Sequence, residues 1–99
     1  MGQLHIALQE GFEDEAVVLR VNGKEVFNKQ GVKTKLQIGR ADAVDVEVDD
    51  GTATVEILLP TKNLTKTVQT RVPQEPFLGV SLVAGEIVHR VSSTPFGYV

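Results

Sequence analysis

Short runs of alternating apolar and polar side chains fill this sequence, and they constrain its fold more than any other feature. Val, Ile and Thr account for 28 of its 99 residues, a composition that favours strands. No stretch of helical length repeats apolar residues at the spacing of an amphipathic helix. Turn-forming residues separate the runs, and this spacing predicts an all-β domain of about eight strands.

We expect a small antiparallel β-sandwich, either immunoglobulin-like or in a similar Greek-key arrangement. It forms a single domain over residues 1–99, with residues 93–99 as a C-terminal tail packed on it. The chain contains no Cys and no Trp, so the paired Cys and buried Trp of true immunoglobulin domains are absent. A hydrophobic fraction of 41% and a charged fraction of 23% are ordinary for a globular protein and argue against disorder.

Two short turns predict hairpins. Asn22-Gly23 is a strong signal, because a type I′ turn needs positive φ at both central residues. Ala84-Gly85 joins the last two runs, although Ala is a poor residue for positive φ and a three-residue turn is an alternative there. The predicted pairs are Leu19–Val26, Val18–Phe27 and Arg20–Glu25 in the first hairpin, and Leu78–Val91, Val80–His89 and Leu82–Ile87 in the last.

The middle of the chain predicts two further pairings. Run 32–38 pairs with run 44–48, which sets Lys33 against Asp49 and Lys35 against Glu47. A turn at Asp50-Gly51 then pairs run 44–48 with the next strand. That second register places Asp45 opposite Glu56, a like-charge pair that destabilises a sheet unless it is separated, solvated or bridged by a cation.

The residues that carry nucleophilic catalysis are few. The serines are Ser81, Ser92 and Ser93, and the histidines are His5 and His89. No nucleophile elbow, phosphate-binding loop or zinc-protease motif occurs. His5 belongs to the polar face of its strand, and His89 to the apolar face, where we expect a packed or edge histidine. We therefore predict no catalytic residues and a protein that is not an enzyme.

Acidic residues form two clusters, and these supply the metal candidates. Calcium is held by several oxygen ligands, which loops at the end of a β-sandwich can provide. The alternative is that these carboxylates are simply solvated, because neither cluster matches a known calcium loop. The candidate ligands are Glu10, Glu13, Asp14, Glu15, Asp42, Asp45 and Glu56.

Basic residues give little indication of nucleic-acid binding. Lys29, Lys33, Lys35 and Arg40 lie in one segment, but acidic residues are interleaved with them as predicted partners, and no aromatic stacking platform accompanies them. The formal net charge is −3. No apolar run approaches the ~20 residues that span a bilayer. We expect no nucleic-acid partner and no membrane insertion.

The end of the sequence concentrates aromatic side chains. Phe96, Tyr98 and Val99 either fill a gap in the core or bind a partner. The leading hypothesis for function is a non-enzymatic interaction module that binds another protein or a second copy of itself. The alternative is a calcium-dependent module that binds carbohydrate or lipid through the acidic loops; otherwise no cofactor is expected. The absence of Cys and of a signal peptide predicts a cytoplasmic protein.

Overall fold

The computed structural model describes residues 2–35 and 40–95 as two four-stranded sheets packed face to face. This confirms the predicted all-β sandwich. A short 3-10 helix, Pro60–Lys62, joins the fifth and sixth strands. The strands are β1 (Gly2–Leu8), β2 (Glu15–Val21), β3 (Lys24–Val32), β4 (Asp42–Val48), β5 (Gly51–Leu59), β6 (Leu64–Val72), β7 (Phe77–Val83) and β8 (Glu86–Ser92).

The strand order is β4-β1-β7-β8 in the first sheet and β3-β2-β5-β6 in the second. Neighbouring strands are antiparallel except β1 and β7, which run parallel. Residues of β3 contact β4 and residues of β6 contact β8, so the edge strands of the two sheets lie against each other. Each open side of the sandwich is therefore flanked by one edge strand from each sheet.

The core lies between the sheets and is built from the apolar residues of each alternating run. Each such side chain contributes roughly 1.5–3 kcal/mol by leaving water. The loop between β1 and β2 adds Phe12, the largest of the fully buried side chains. The largest of the side chains that are almost completely inaccessible to solvent are Leu4, Ile6, Leu8, Phe12, Val17, Leu19, Val55, Ile57, Leu59, Val72, Leu78 and Val80.

Two of the three predicted two-residue hairpin turns are present. Asn22 and Gly23 have φ angles of 51° and 82°, and Ala84 and Gly85 have φ angles of 52° and 79°. The last hairpin has the predicted register, with Leu82 opposite Ile87 and the other two pairs in place. Ala84 therefore accepts positive φ, and the three-residue alternative is wrong.

The first hairpin departs from its predicted register after one pair. Arg20 lies opposite Glu25 as predicted, but Leu19 lies opposite Phe27. Val26 is thus an extra residue, a β-bulge that shifts the remaining pairs by one. The shift has a physical reason, because it places the larger Phe27 in the core beside Leu19 while Val26 stays only half-buried.

The predicted partner of β4 is wrong. β4 pairs with β1, which sets Leu4 opposite Val46 and Ile6 opposite Val44. The predicted pairs Lys33–Asp49 and Lys35–Glu47 therefore do not form, and Lys35 instead makes an isolated bridge with Arg40. Residues 36–38 of the predicted run lie outside the described residues. An alternating strand matches any other alternating strand, so the sequence pattern alone does not select the partner.

The predicted hairpin at Asp50-Gly51 is also wrong. β4 and β5 belong to different sheets, and the chain crosses from one to the other between Val48 and Gly51. Asp45 consequently lies opposite His5, while Glu56 lies opposite Arg20 on one side and Thr67 on the other. The like-charge pair that the sequence predicted is absent.

Two lysines connect the sheets at opposite sides of the sandwich. Lys29 of β3 reaches Asp42 of β4, with 2.8 Å between Nζ and Oδ2. Lys66 of β6 donates to the backbone oxygen of Ile87 in β8 at 3.2 Å. These contacts mark the two open sides of the sandwich, where the edge strands meet solvent.

Candidate functional site

The first acidic cluster does not converge on one point. Glu10 contributes backbone groups: its N–H donates to Ser81 Oγ at 3.2 Å. Glu13 and Asp14 are exposed. Glu15 is buried, and its Oε2 lies 3.4 Å from Lys62 Nζ. This carboxylate therefore has a structural ion-pair partner.

The second cluster is divided between different partners. Asp42 is bound by Lys29, and Asp45 Oδ1 accepts a hydrogen bond from His5 Nδ1 at 2.6 Å. Glu56 lies in the other sheet beside Arg20. Among residues 2–35 and 40–95, no group of three or more His, Asp or Glu side chains is arranged to hold a metal ion. The calcium site stays a prediction that rests on the sequence.

The two histidines occupy different environments. His5 lies on the outward face of its sheet, stacked on Phe77 with 4.8 Å between ring centroids and bonded to Asp45. Sequence reasoning missed this constellation because it gave Asp45 another neighbour. His89 lies at the edge in β8, where burial and then the nearby charge of Lys66 lower the pKa of its imidazole.

A histidine bonded to a carboxylate supplies two of the three members of a hydrolase triad, but Ser81 and Ser92 have other partners. Ser92 Oγ lies 3.3 Å from Thr94 Oγ1, and Ser81 Oγ accepts the backbone N–H of Glu10. The His5–Asp45 pair lies on the outward face of its sheet. Its hydrogen bond and the stacking on Phe77 orient these surface side chains.

The predicted partner-binding residues, Phe96, Tyr98 and Val99, lie outside the described residues. The last described part of the tail, residues 93–95, is exposed and follows the end of β8. The role of Phe96, Tyr98 and Val99 in binding stays a prediction.

A groove of about 530 Å³ lies along the side of the sandwich where β3 meets β4. Its described lining runs from the second half of β3 through residues 33–35 and includes residues 41 and 42 at the beginning of β4. β3 pairs only with β2 in the described chain, so the groove borders an edge strand. Its lining residues are Lys29, Gln30, Gly31, Val32, Lys33, Thr34, Lys35, Ala41 and Asp42.

Thr34 fixes the floor of the groove to the loop after β1. It is buried, and its hydroxyl donates to the backbone oxygen of Gln9 at 2.7 Å. The Thr34 hydroxyl oxygen also accepts the backbone N–H of Phe12 at 3.0 Å, while the Thr34 N–H donates to the Phe12 backbone oxygen at 2.8 Å. Alternation then directs Lys33 and Lys35, both exposed, away from this anchor.

The groove is cationic although the whole chain is acidic. Burial raises the pKa of Asp42, but hydrogen bonds from Lys29 and from the Ala43 N–H, with the charges of Lys29 and Lys35, outweigh burial and hold that pKa below its usual value. The Asp42 carboxylate is therefore ionised at neutral pH and forms an ion pair with Lys29. Lys33 and Lys35 supply the remaining positive charge along the groove.

We expect Thr34→Val to loosen the groove while the fold persists. The substitution keeps the shape of the side chain but leaves the Gln9 oxygen and the Phe12 N–H without this partner. Loss of buried hydrogen bonds costs about 1–3 kcal/mol. Urea unfolding followed by circular dichroism measures the loss, and Thr67→Val, at an exposed position of β6, is the control that should change stability by no more than ~0.5 kcal/mol. Equal stability of the two variants would contradict the anchoring role.

Within the described ranges, no helix is long and apolar enough to cross a membrane. No protein-family model, curated protein or solved structure matches this chain.

Proposed function

We propose that this domain is a non-enzymatic interaction module that binds an acidic segment of another protein in the groove between β3 and β4. One observation carries the proposal: three lysines line a single groove in a chain whose net charge is −3. Complementary charge steers binding and selects the partner. The groove follows an edge strand, and an extended segment fits such a shape.

The lining chemistry favours a protein segment over a nucleic acid. Among the described residues that line the groove, none is aromatic and none is Arg, the side chains that stack on bases or bind phosphates through two hydrogen bonds. Asp42 stands in the wall, and Asp14 lies close by, since a Cβ placed on Gly31 would be 3.4 Å from Asp14 Oδ1. These carboxylates repel a dense phosphate backbone, whereas a peptide can space its acidic residues around them.

Fluorescence polarisation with a labelled oligoglutamate peptide tests the proposal. We expect saturable binding that weakens as salt is raised, because the contacts are exposed and screened. Reversing two charges, in Lys33→Glu with Lys35→Glu, removes two attractions and adds two repulsions. We expect a loss of about 1–2 kcal/mol, which is about five- to thirtyfold in affinity.

Lys24→Glu is the matched control, because Lys24 is an exposed lysine beside the first hairpin turn, outside the groove. It should bind the peptide nearly as well as the unmodified chain. The control reverses one charge and the groove variant two, so a loss of binding free energy in the control of half that in the groove variant, or more, would show that only net charge matters and would overturn the proposal. A single-stranded oligonucleotide that bound the groove more tightly than the peptide would also overturn it.

Three finer assignments stay predictions beside this proposal. The immunoglobulin-like arrangement rests on strand number, and the cytoplasmic location rests on composition. The tail residues Phe96, Tyr98 and Val99 contribute to binding only if truncation after Pro95 weakens it. A calcium titration in the same polarisation assay tests the alternative module, which requires that peptide or glycan binding depend on the metal.

A further inference from the structure

β8 forms the edge of its sheet on the side opposite the groove. In the part of the chain that the structure describes, it pairs with β7 alone. Val83 and Glu86 flank the two-residue turn and form a hydrogen-bonded pair, so backbone groups alternate from there. Every second residue, Ile87, His89 and Val91, therefore directs its N–H and C=O away from β7. The contact from Lys66 to the Ile87 oxygen agrees with this direction.

The outward face of β8 carries an apolar residue between two opposite charges. Val88 is 37% exposed, and the neighbouring Val83 is 52% exposed; they are the exposed large hydrophobic residues among those described. Glu86 precedes Val88 by two residues and Arg90 follows it by two, so all three share one face. Two antiparallel copies of this strand can therefore place each Glu86 opposite an Arg90.

We propose that two copies of this chain pair antiparallel through β8, with the two-fold axis at Val88. In that register each Val88 lies opposite its copy, and each Glu86 lies opposite an Arg90. On the inner face, Ile87 lies opposite His89, and their outward backbone groups form the ladder hydrogen bonds. The arrangement is isologous, as a two-fold interface requires.

Other registers lose this complementarity. Moving the axis to His89 places Glu86 opposite Ser92 and Val88 opposite Arg90. Moving it to Ile87 places Glu86 opposite Val88. Apolar and charged side chains then face each other. Of these registers, only the one centred on Val88 pairs each Glu86 with an Arg90 and places the Val88 residues of the two copies against each other.

Lys66 limits the strength of this contact. Its ammonium group binds the Ile87 oxygen, and an inward-pointing lysine beside an edge strand discourages pairing. A carbonyl oxygen has two lone pairs, so the Ile87 oxygen can accept the partner's N–H beside Lys66. We therefore expect a reversible dimer, and this inference does not depend on the lysine groove.

Sedimentation velocity over a concentration series, up to the millimolar range, tests the dimer. We expect Val88→Lys to raise the dissociation constant by about tenfold or more, because it places two like charges at the axis. Val83→Lys is the matched control: it changes the other exposed valine, on β7, and should leave the dimer intact. A chain that stays monomeric at the highest concentration would overturn the proposal.

A charge exchange then tests the register independently of folding effects. Glu86→Arg alone and Arg90→Glu alone each create two like-charge contacts in a homodimer, and both should be largely monomeric. Mixing the two variants should restore a dimer, because every contact in the mixed pair joins opposite charges. A dimer that ignores all of these changes, or variants that stay monomeric when mixed, would contradict pairing through β8.

Discussion

Gly11→Ala should destabilise the domain more than the same substitution at the turn residue Gly23. Gly11 has a φ of 87°, and an L-residue pays about 1–2 kcal/mol for such a conformation. A Cβ at this position would lie 1.9 Å from the Leu82 oxygen, so the backbone must move. The movement disturbs the hydrogen bond from the Leu82 N–H to the Glu10 oxygen, which is 2.8 Å long. We expect a total loss of at least about 3 kcal/mol.

Gly23→Ala separates the two causes. Gly23 has a similar φ of 82°, but a Cβ there meets nothing within 4 Å. This control should therefore cost only the conformational part, about 1–2 kcal/mol. Urea unfolding followed by circular dichroism compares the two variants under one protocol. If Gly11→Ala were no less stable than Gly23→Ala, the close approach of the loop to Leu82 would be wrong.

Phe12→Ala is the second change with a large expected effect. Phe12 is 2% exposed and is the largest fully buried side chain, although it belongs to a loop. Truncating a buried Phe costs about 3–5 kcal/mol through lost transfer energy and the cavity that remains. Domains of this kind are stable by only about 5–15 kcal/mol, so the variant should lose a large part of its stability.

Phe77→Ala is the control for Phe12→Ala. Phe77 is half-buried on the outward sheet face and stacks on His5, so its removal opens no cavity in the core. We expect a cost of about 0.5–1.5 kcal/mol beyond the lost surface contact. Similar losses for the two variants in urea unfolding would show that the loop does not form part of the core.

The substitutions of Gly11 and of Phe12 should also affect the groove. Gly11 and Phe12 form the loop whose backbone is bonded to Thr34. Thr34 in turn holds Lys33 and Lys35 at the groove. The loop that the sequence marked as an acidic metal candidate therefore serves the structure mainly through its apolar and glycine residues.

Two of the three short hairpins were predictable from the sequence, whereas the turn at Asp50-Gly51 joins strands of different sheets. Turn residues fix the register of a short hairpin, so the pairing across Ala84-Gly85 and the pair Arg20–Glu25 were correct. The bulge at Val26 was not predictable from alternation, because it depends on how Phe27 fits the core. Side-chain size in the assembled sandwich decided that register.

Long-range pairing was not predictable for a related reason. Residues 9–41, 33 in number, separate β1 from β4 along the chain, and alternation alone matches either strand to several others. The contact between His5 and Asp45 depends on that pairing, so it was missed. Lys29, Lys33 and Lys35 were recognised as a group in the sequence, but their common groove became visible only when β3 was placed beside β4.

A titration of oligoglutamate peptide into the ¹⁵N-labelled protein, followed by amide spectra, shows whether the groove binds acidic segments. We expect saturable shifts confined to residues 29–35 and 41–42, which disappear when Lys33 and Lys35 are both changed to Glu. The Lys24→Glu variant should keep the same shifts. An unchanged spectrum at high peptide concentration, or shifts located elsewhere on the sandwich, would contradict a groove that binds acidic segments.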